Sequence, residues 1–184
     1  ALRHQWGLDQ PLWSQYLGYL GDLLRGDLGE SILYREPITS LIAVRLPPTL
    51  LLMLMGTVFS VVIALPLSML AAVKKNTWVD EAVRVFNAVV QGMPVFFIGT
   101  LFIAVFALQL RIFPVGGYNP TFPQNIVSLV LPALAIALGI VPLLVRSLRA
   151  SLIGSLDSEY VIFARSKGLK RSTVWTGYGL RNGS

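Results

Sequence analysis

Residue types able to do chemistry are sparse in this chain of 184 residues. There is no cysteine, so disulfides and thiolate metal sites are excluded, and with a single histidine, His4, a metal site built on His is not expected. No glycine-rich phosphate loop, nucleophile motif or metal triad is present in the sequence, and no cofactor is expected. What remains lies in two places. Asn87 and Gln91 stand one helical turn apart beside a break, Gly92-Met93-Pro94, inside a long charge-free run, and Thr57 stands in another such run. The stretch Glu159 to Leu169, EYVIFARSKGL, is polar and basic with a glycine near its end. The first group has hydrogen-bonding amides that can line a pathway. The second has the makings of a short amphipathic helix that docks on something else.

The elements that must hold these residues are apolar. Hydrophobic residues make up 54% of the chain and charged ones only 13%, about half the charge of an ordinary soluble domain. That composition points to the bilayer. Thr49–Val73 and Val85–Leu110 carry no charge, and Ile126–Val145 is a third apolar run. Each reaches the roughly 20 residues a spanning helix needs. The expected fold is therefore all-α, a polytopic transmembrane protein with about three spans in this stretch. Within the first run Gly56, Ser60, Ala64, Ser68 and Ala72 recur every fourth residue. Such a stripe of small side chains lets another helix come close. Pro47-Pro48 marks the expected start of that helix, and Pro66 predicts a kink. Ala133/Ala137 and Ala135/Gly139 offer similar faces in the third run.

The net charge of +6 is placed rather than spread. Lys74–Arg84 is basic, and so is the chain after Arg146, whereas the loop Arg111–Asn125 holds one basic residue among prolines and glycines. The positive-inside rule then puts 74–84 and 146–184 in the cytoplasm and 1–48 and 111–125 outside. Basic charge used in this way argues against nucleic acid as a partner. Residues 1–44 read as an extracytoplasmic amphipathic region with a helix over Pro11–Leu24, a turn near Arg25–Gly29 and an extended piece to Pro37. Residues 45–184 read as the membrane domain. Trp6, Trp13, Tyr16 and Tyr19 suit the membrane interface.

None of the three runs holds an ionisable group, as a proton-coupled carrier or an intramembrane enzyme would require. The plainer reading of Asn87, Gln91 and Thr57 is hydrogen bonding between helices. Gln91, next to the break, is the foremost pathway candidate, with Asn87, Met93 and Pro94 beside it. In the basic segment, Asp157 or Ser158 can cap a helix that begins near Glu159, and Gly168 fits the left-handed position after its end. The residues alone leave open whether that helix lies on anionic lipid or docks in a partner's groove.

Four stretches carry a resemblance to a known family: GLDQPLWSQYLGYLGDLLRGDLGES at Gly7–Ser31, RLPPTL at Arg45–Leu50, LPALAIALG at Leu131–Gly139, and EYVIFARSKGL followed by Leu180-Arg181-Asn182. The chain resembles the membrane subunit of a binding-protein-dependent ABC importer of the dipeptide, oligopeptide and nickel permease group. In that family the last stretch contains the cytoplasmic loop that docks on the ATPase. The general importer pattern, Glu-Ala-Ala, three residues and Gly, is met only at Ala164 and Gly168. The variant of the peptide permeases is met at Tyr160, Val161, Ala164, Arg165, Lys167, Gly168 and Leu169, with Glu159 just before it. The resemblance implies a non-enzymatic transport subunit in the cell inner membrane. Its implied partners are ABC ATPase subunits, a second permease subunit and an extracytoplasmic solute-binding protein. It also implies a first span before Ala1 and further spans after Asn182, about six in all.

The competing reading is a membrane scaffold whose basic loop binds only lipid. A bulky residue at Gly168 in the full-length protein separates the two: ATPase association and uptake should both fall, and survival of both unchanged would remove the coupling role.

Overall fold

A computed structural model describes residues 11–156. Helices dominate, with no strand beyond one isolated bridge among those residues. They are α1 (Leu12–Leu24), α2 (Ile38–Val73), α3 (Trp78–Gly92), α4 (Val95–Phe102) and α5 (Gln124–Leu156), and a π-helical stretch, Ile103–Gln109, continues α4. By contacts the chain divides after Leu50, inside α2, into two compact units.

In the first unit, α1 starts after Pro11, whose carbonyl accepts from the N–H groups of Ser14 and Gln15. It ends at a turn in which Gly26 and Gly29 take φ of 80° and 76°, a region that only glycine enters freely. The piece up to Pro37 is not extended as expected. Glu30 and Pro37 form the antiparallel bridge, closed by Ser31 N–H on Glu36 O at 2.9 Å and Ile38 N–H on Gly29 O at 2.9 Å. The Arg45 guanidinium lies over the Tyr34 ring, 5.7 Å from its centroid.

Helix α2 does not start at Pro47-Pro48. It begins at Ile38 and runs unbroken through Pro47, Pro48 and Pro66. At 1.5 Å per residue its 36 residues make a rod of about 54 Å, well beyond a hydrocarbon core of about 30 Å. The charge-free run marks only the apolar part of that rod. Its hydroxyls are satisfied by carbonyls a turn earlier: Thr57 Oγ1 on Met53 O at 2.8 Å and Ser60 Oγ on Gly56 O at 2.7 Å. Such back-bonding lets polar side chains sit in an apolar helix.

The second unit is built around α5, which packs against both α3 and α4. The small stripe of α2 is the face it buries: Gly56, Ser60, Ala64, Ser68 and Ala72 are all buried, together with Ala71. A side chain at Gly56 would meet Ile136 Cγ2 at 3.6 Å and Ala133 O at 3.8 Å, so α2 and α5 approach backbone to backbone there. Ala64 and Ala71 of α2, Val83 of α3 and Val141 and Val145 of α5 share one buried cluster. A second joins Val90 of α3, Ile98 of α4 and Ala135 of α5. At Gly139 a Cβ would lie 2.7 Å from Val95 Cγ2, so this glycine is what lets α4 sit against α5.

The expected break is there and is sharp. Met93 leaves the helical region (φ −95°, ψ 130°) and Pro94 caps α4, with an angle of 100° between the two halves. By length and apolarity α2 and α5 can each cross a membrane, and the bent pair makes a third crossing if it acts as one span. Pro132 and Pro142 are accommodated inside α5, which continues to Leu156.

Because Ala64 has no exposed surface, Ala64→Leu should overpack the α2–α3–α5 cluster and lower stability by about 1–3 kcal/mol. Val62→Leu, on the exposed side of the same helix, should change little. Thermal unfolding of the detergent-solubilised protein compares the two.

Candidate functional site

The polar constellation of the second unit starts in the turn between α2 and α3. Asn76 takes φ of 62°, a left-handed conformation that asparagine tolerates better than most residues. Its N–H thereby donates to Asp80 Oδ2 at 3.1 Å. Asp80 stands in the first turn of α3, where the helix dipole favours a negative charge. It has no solvent exposure. From α5, Arg149 Nε donates to Asp80 Oδ1 at 2.8 Å and Arg149 Nη2 to Asp80 Oδ2 at 2.6 Å. This is the two-pronged fit of a guanidinium on a carboxylate. It joins residues 69 positions apart in sequence.

The pair continues the apolar stripes of its two helices. Asp80, Val83, Asn87 and Val90 follow one another at three- and four-residue spacing, and Val141, Val145 and Arg149 at four-residue spacing. That phase was the available signal. A run of charges in a loop reads as topology, but an acid and a base in phase with two buried stripes read as partners.

Beside the pair lies a cavity of about 270 Å³ between α3 and α5. Its polar lining is Arg84, Asn87, Gln91, Arg146 and Arg149, over apolar walls that include Val83, Pro142 and Val145. Arg84 is engaged by Glu81 and Arg149 by Asp80. The Oδ1 of Asn87 is buried and accepts no hydrogen bond from the described residues. A larger cavity of about 400 Å³ lies under the Gly116–Tyr118 loop, lined by Gly99, Ile103 and Leu131 among others.

Of the residues singled out in the sequence, Asn87 and Gln91 thus come together on one wall. Met93 does not join them: it is half-buried and packs on the Val90–Ile98–Ala135 cluster. Pro94 is exposed, and its carbonyl accepts from Phe97 and Ile98 N–H at the start of α4. Thr57 is exposed and bonded within its own helix. Glu159, Tyr160, Val161, Ala164, Arg165, Lys167, Gly168 and Leu169 lie outside the described residues.

Long apolar helices with small-residue contacts, and a break at Gly92–Pro94, are what the residues themselves predicted, and a family match decides the matter. Residues 64–183 match the "Binding-protein-dependent transport system inner membrane component" family. The chain belongs to that family, whose members are transport subunits rather than enzymes. It is a multi-pass membrane protein. It is 35% identical over 184 residues to the oligopeptide transport system permease protein of Bacillus subtilis (strain 168) and 33% identical over 182 to the dipeptide transport system permease protein of Lactococcus lactis subsp. cremoris. It is 33% identical over 181 residues to the glutathione transport system permease protein of Escherichia coli (strain K12). These matches cover 97–98% of this chain and 58% of each relative, so the chain spans under two thirds of their length.

Removing one member of a buried ion pair strands the other. Asp80→Ala should therefore destabilise the protein by about 3–5 kcal/mol. Asp80→Ala with Arg149→Leu should recover most of that loss, and unfolding in mixed micelles measures both.

Proposed function

We propose that this chain is part of a permease subunit of an ATP-driven importer. It forms a share of the translocation pathway for peptides or a related small solute and couples to a separate ATPase. The observation that carries this reading is the break at Gly92–Pro94 with Asn87 and Gln91 on a cavity wall beside it. A span broken in this way is tolerated only against protein or a water-lined space, which is what a pathway supplies. Dipeptide, oligopeptide and glutathione transport, named for the relatives, support peptides as the solute class.

In this reading residues 1–44 form an extracytoplasmic region and 45–184 the permease domain. Glu159–Leu169 docks on the ATPase, a second permease subunit completes the pathway, and a solute-binding protein delivers solute from outside. The protein lies in the cell inner membrane. Its 74–84 and 146–184 regions are cytoplasmic, and 1–48 and 111–125 are extracytoplasmic. The Asp80–Arg149 pair supports this alternation. It brings the start of α3 level with the last turns of α5. With α5 crossing the membrane, this shared level favours the bent pair as a span over a re-entrant loop.

The full-length protein should co-purify with an ATPase and support uptake that depends on it. A cysteine at Gly116, which has open space around it, should label only from outside, and one at Lys74 only from inside. Labelling of both from one side would discard the three-span topology.

A further inference from the structure

The cavity between α3 and α5 holds one buried acceptor and one exposed cation that no described residue pairs. Asn87 Oδ1 is a buried acceptor with no donor among the described residues, and buried polar atoms in folded proteins nearly always have a partner. Arg146 lines the same cavity and has no carboxylate partner among the described residues, whereas Arg84 is paired with Glu81 and Arg149 with Asp80. One excess cation and one unanswered acceptor therefore share a wall. We propose that this cavity binds the carboxyl-terminal end of a peptide, its terminal carboxylate on the Arg146 guanidinium and its last backbone N–H on Asn87 Oδ1. The inference rests on the transport reading and names the part of the solute that this stretch of pathway recognises.

The chemistry selects a peptide end over other anions. Inorganic phosphate or a lipid phosphodiester would satisfy the guanidinium and bring no fixed donor for Asn87. A peptide terminus carries its anion and an N–H on neighbouring atoms. Gln91, one turn further along α3 on the same wall, has an amide that can both donate to and accept from the preceding peptide group. Val83, Pro142 and Val145 supply apolar wall for the terminal side chain without specifying it. At about 270 Å³ the cavity is smaller than the ~300–1,000 Å³ of sites that enclose a whole ligand, which suits one end of a longer molecule. Arg149 is already committed, its charge and two of its donors being held by Asp80.

The test uses the full-length permease assembled with its partner subunits in nanodiscs, without the solute-binding protein, so that binding reports on the membrane subunits alone. The probes are trialanine and trialanine amide, since the proposed contacts ignore side-chain identity. Trialanine should bind more tightly than its amide. Arg146→Gln should weaken trialanine about ten- to a hundredfold, as loss of a charge-assisted hydrogen bond does, and leave the amide unchanged. Asn87→Leu should weaken both probes. Equal weakening of both by Arg146→Gln, or of neither, would overturn the proposal. So would competition by inorganic phosphate as strong as by trialanine, or trialanine binding found only in nanodiscs free of phosphatidylglycerol. ATP-dependent peptide uptake by an assembly that binds neither probe would sink this site and leave the transport reading standing. An assembly that takes up no peptide and associates with no ATPase would sink the transport reading itself.

Discussion

A carboxylate with no solvent exposure needs a full set of donors, and Asp80 has three: two from Arg149 and one from the Asn76 backbone. Desolvating both charges is expensive, and well-packed apolar residues often serve stability as well. What the pair adds is registry. Apolar helices slide and rotate past one another at little cost, but a fork on a carboxylate has one geometry. It sets the rotation of α3 about its axis and thereby puts Asn87 and Gln91 on the cavity wall.

The rest of the packing follows from the solvent. Lipid gives two apolar helices little hydrophobic reason to associate, so contact depends on close approach. The small face of α2 and Gly139 of α5 provide it, the first against Ile136 and the second against Val95. The large aliphatic residues of α2, such as Met53, Leu54 and Val62, are left on its exposed side. This inverts the soluble arrangement, in which the large side chains are inside.

How much of this was legible depended on the range of the interaction. The α2 stripe is a local period, readable at four-residue spacing, and every member is buried. The break at Gly92–Pro94 is a local steric event and lies where expected. The start of α2 was misplaced because a proline pair reads as a boundary, whereas a long helix in which neighbouring turns hold carries it through. The Asp80–Arg149 pair escaped notice because it spans 69 residues and both charges sit in segments whose charge already had a topological meaning. Met93 was grouped with the pathway by its neighbours in sequence, but its side chain points to the Val90 cluster. No spacing rule predicts which way a residue faces once the helix has ended.

The bend between α3 and α4 bears on how the protein enters the membrane. α3 has 15 residues, and so does α4 with its π-helical continuation, Val95–Gln109. Each half is therefore about 22 Å long, too short to cross a core of about 30 Å alone. Neither half is a self-sufficient insertion unit. As one span they must enter together, and both halves gain their packing partner only once α5 lies alongside. Insertion of the pair as one span would thus draw on almost eighty residues of chain, from Trp78 to the end of α5, and a defect late in α5 would act on helices synthesised well before it.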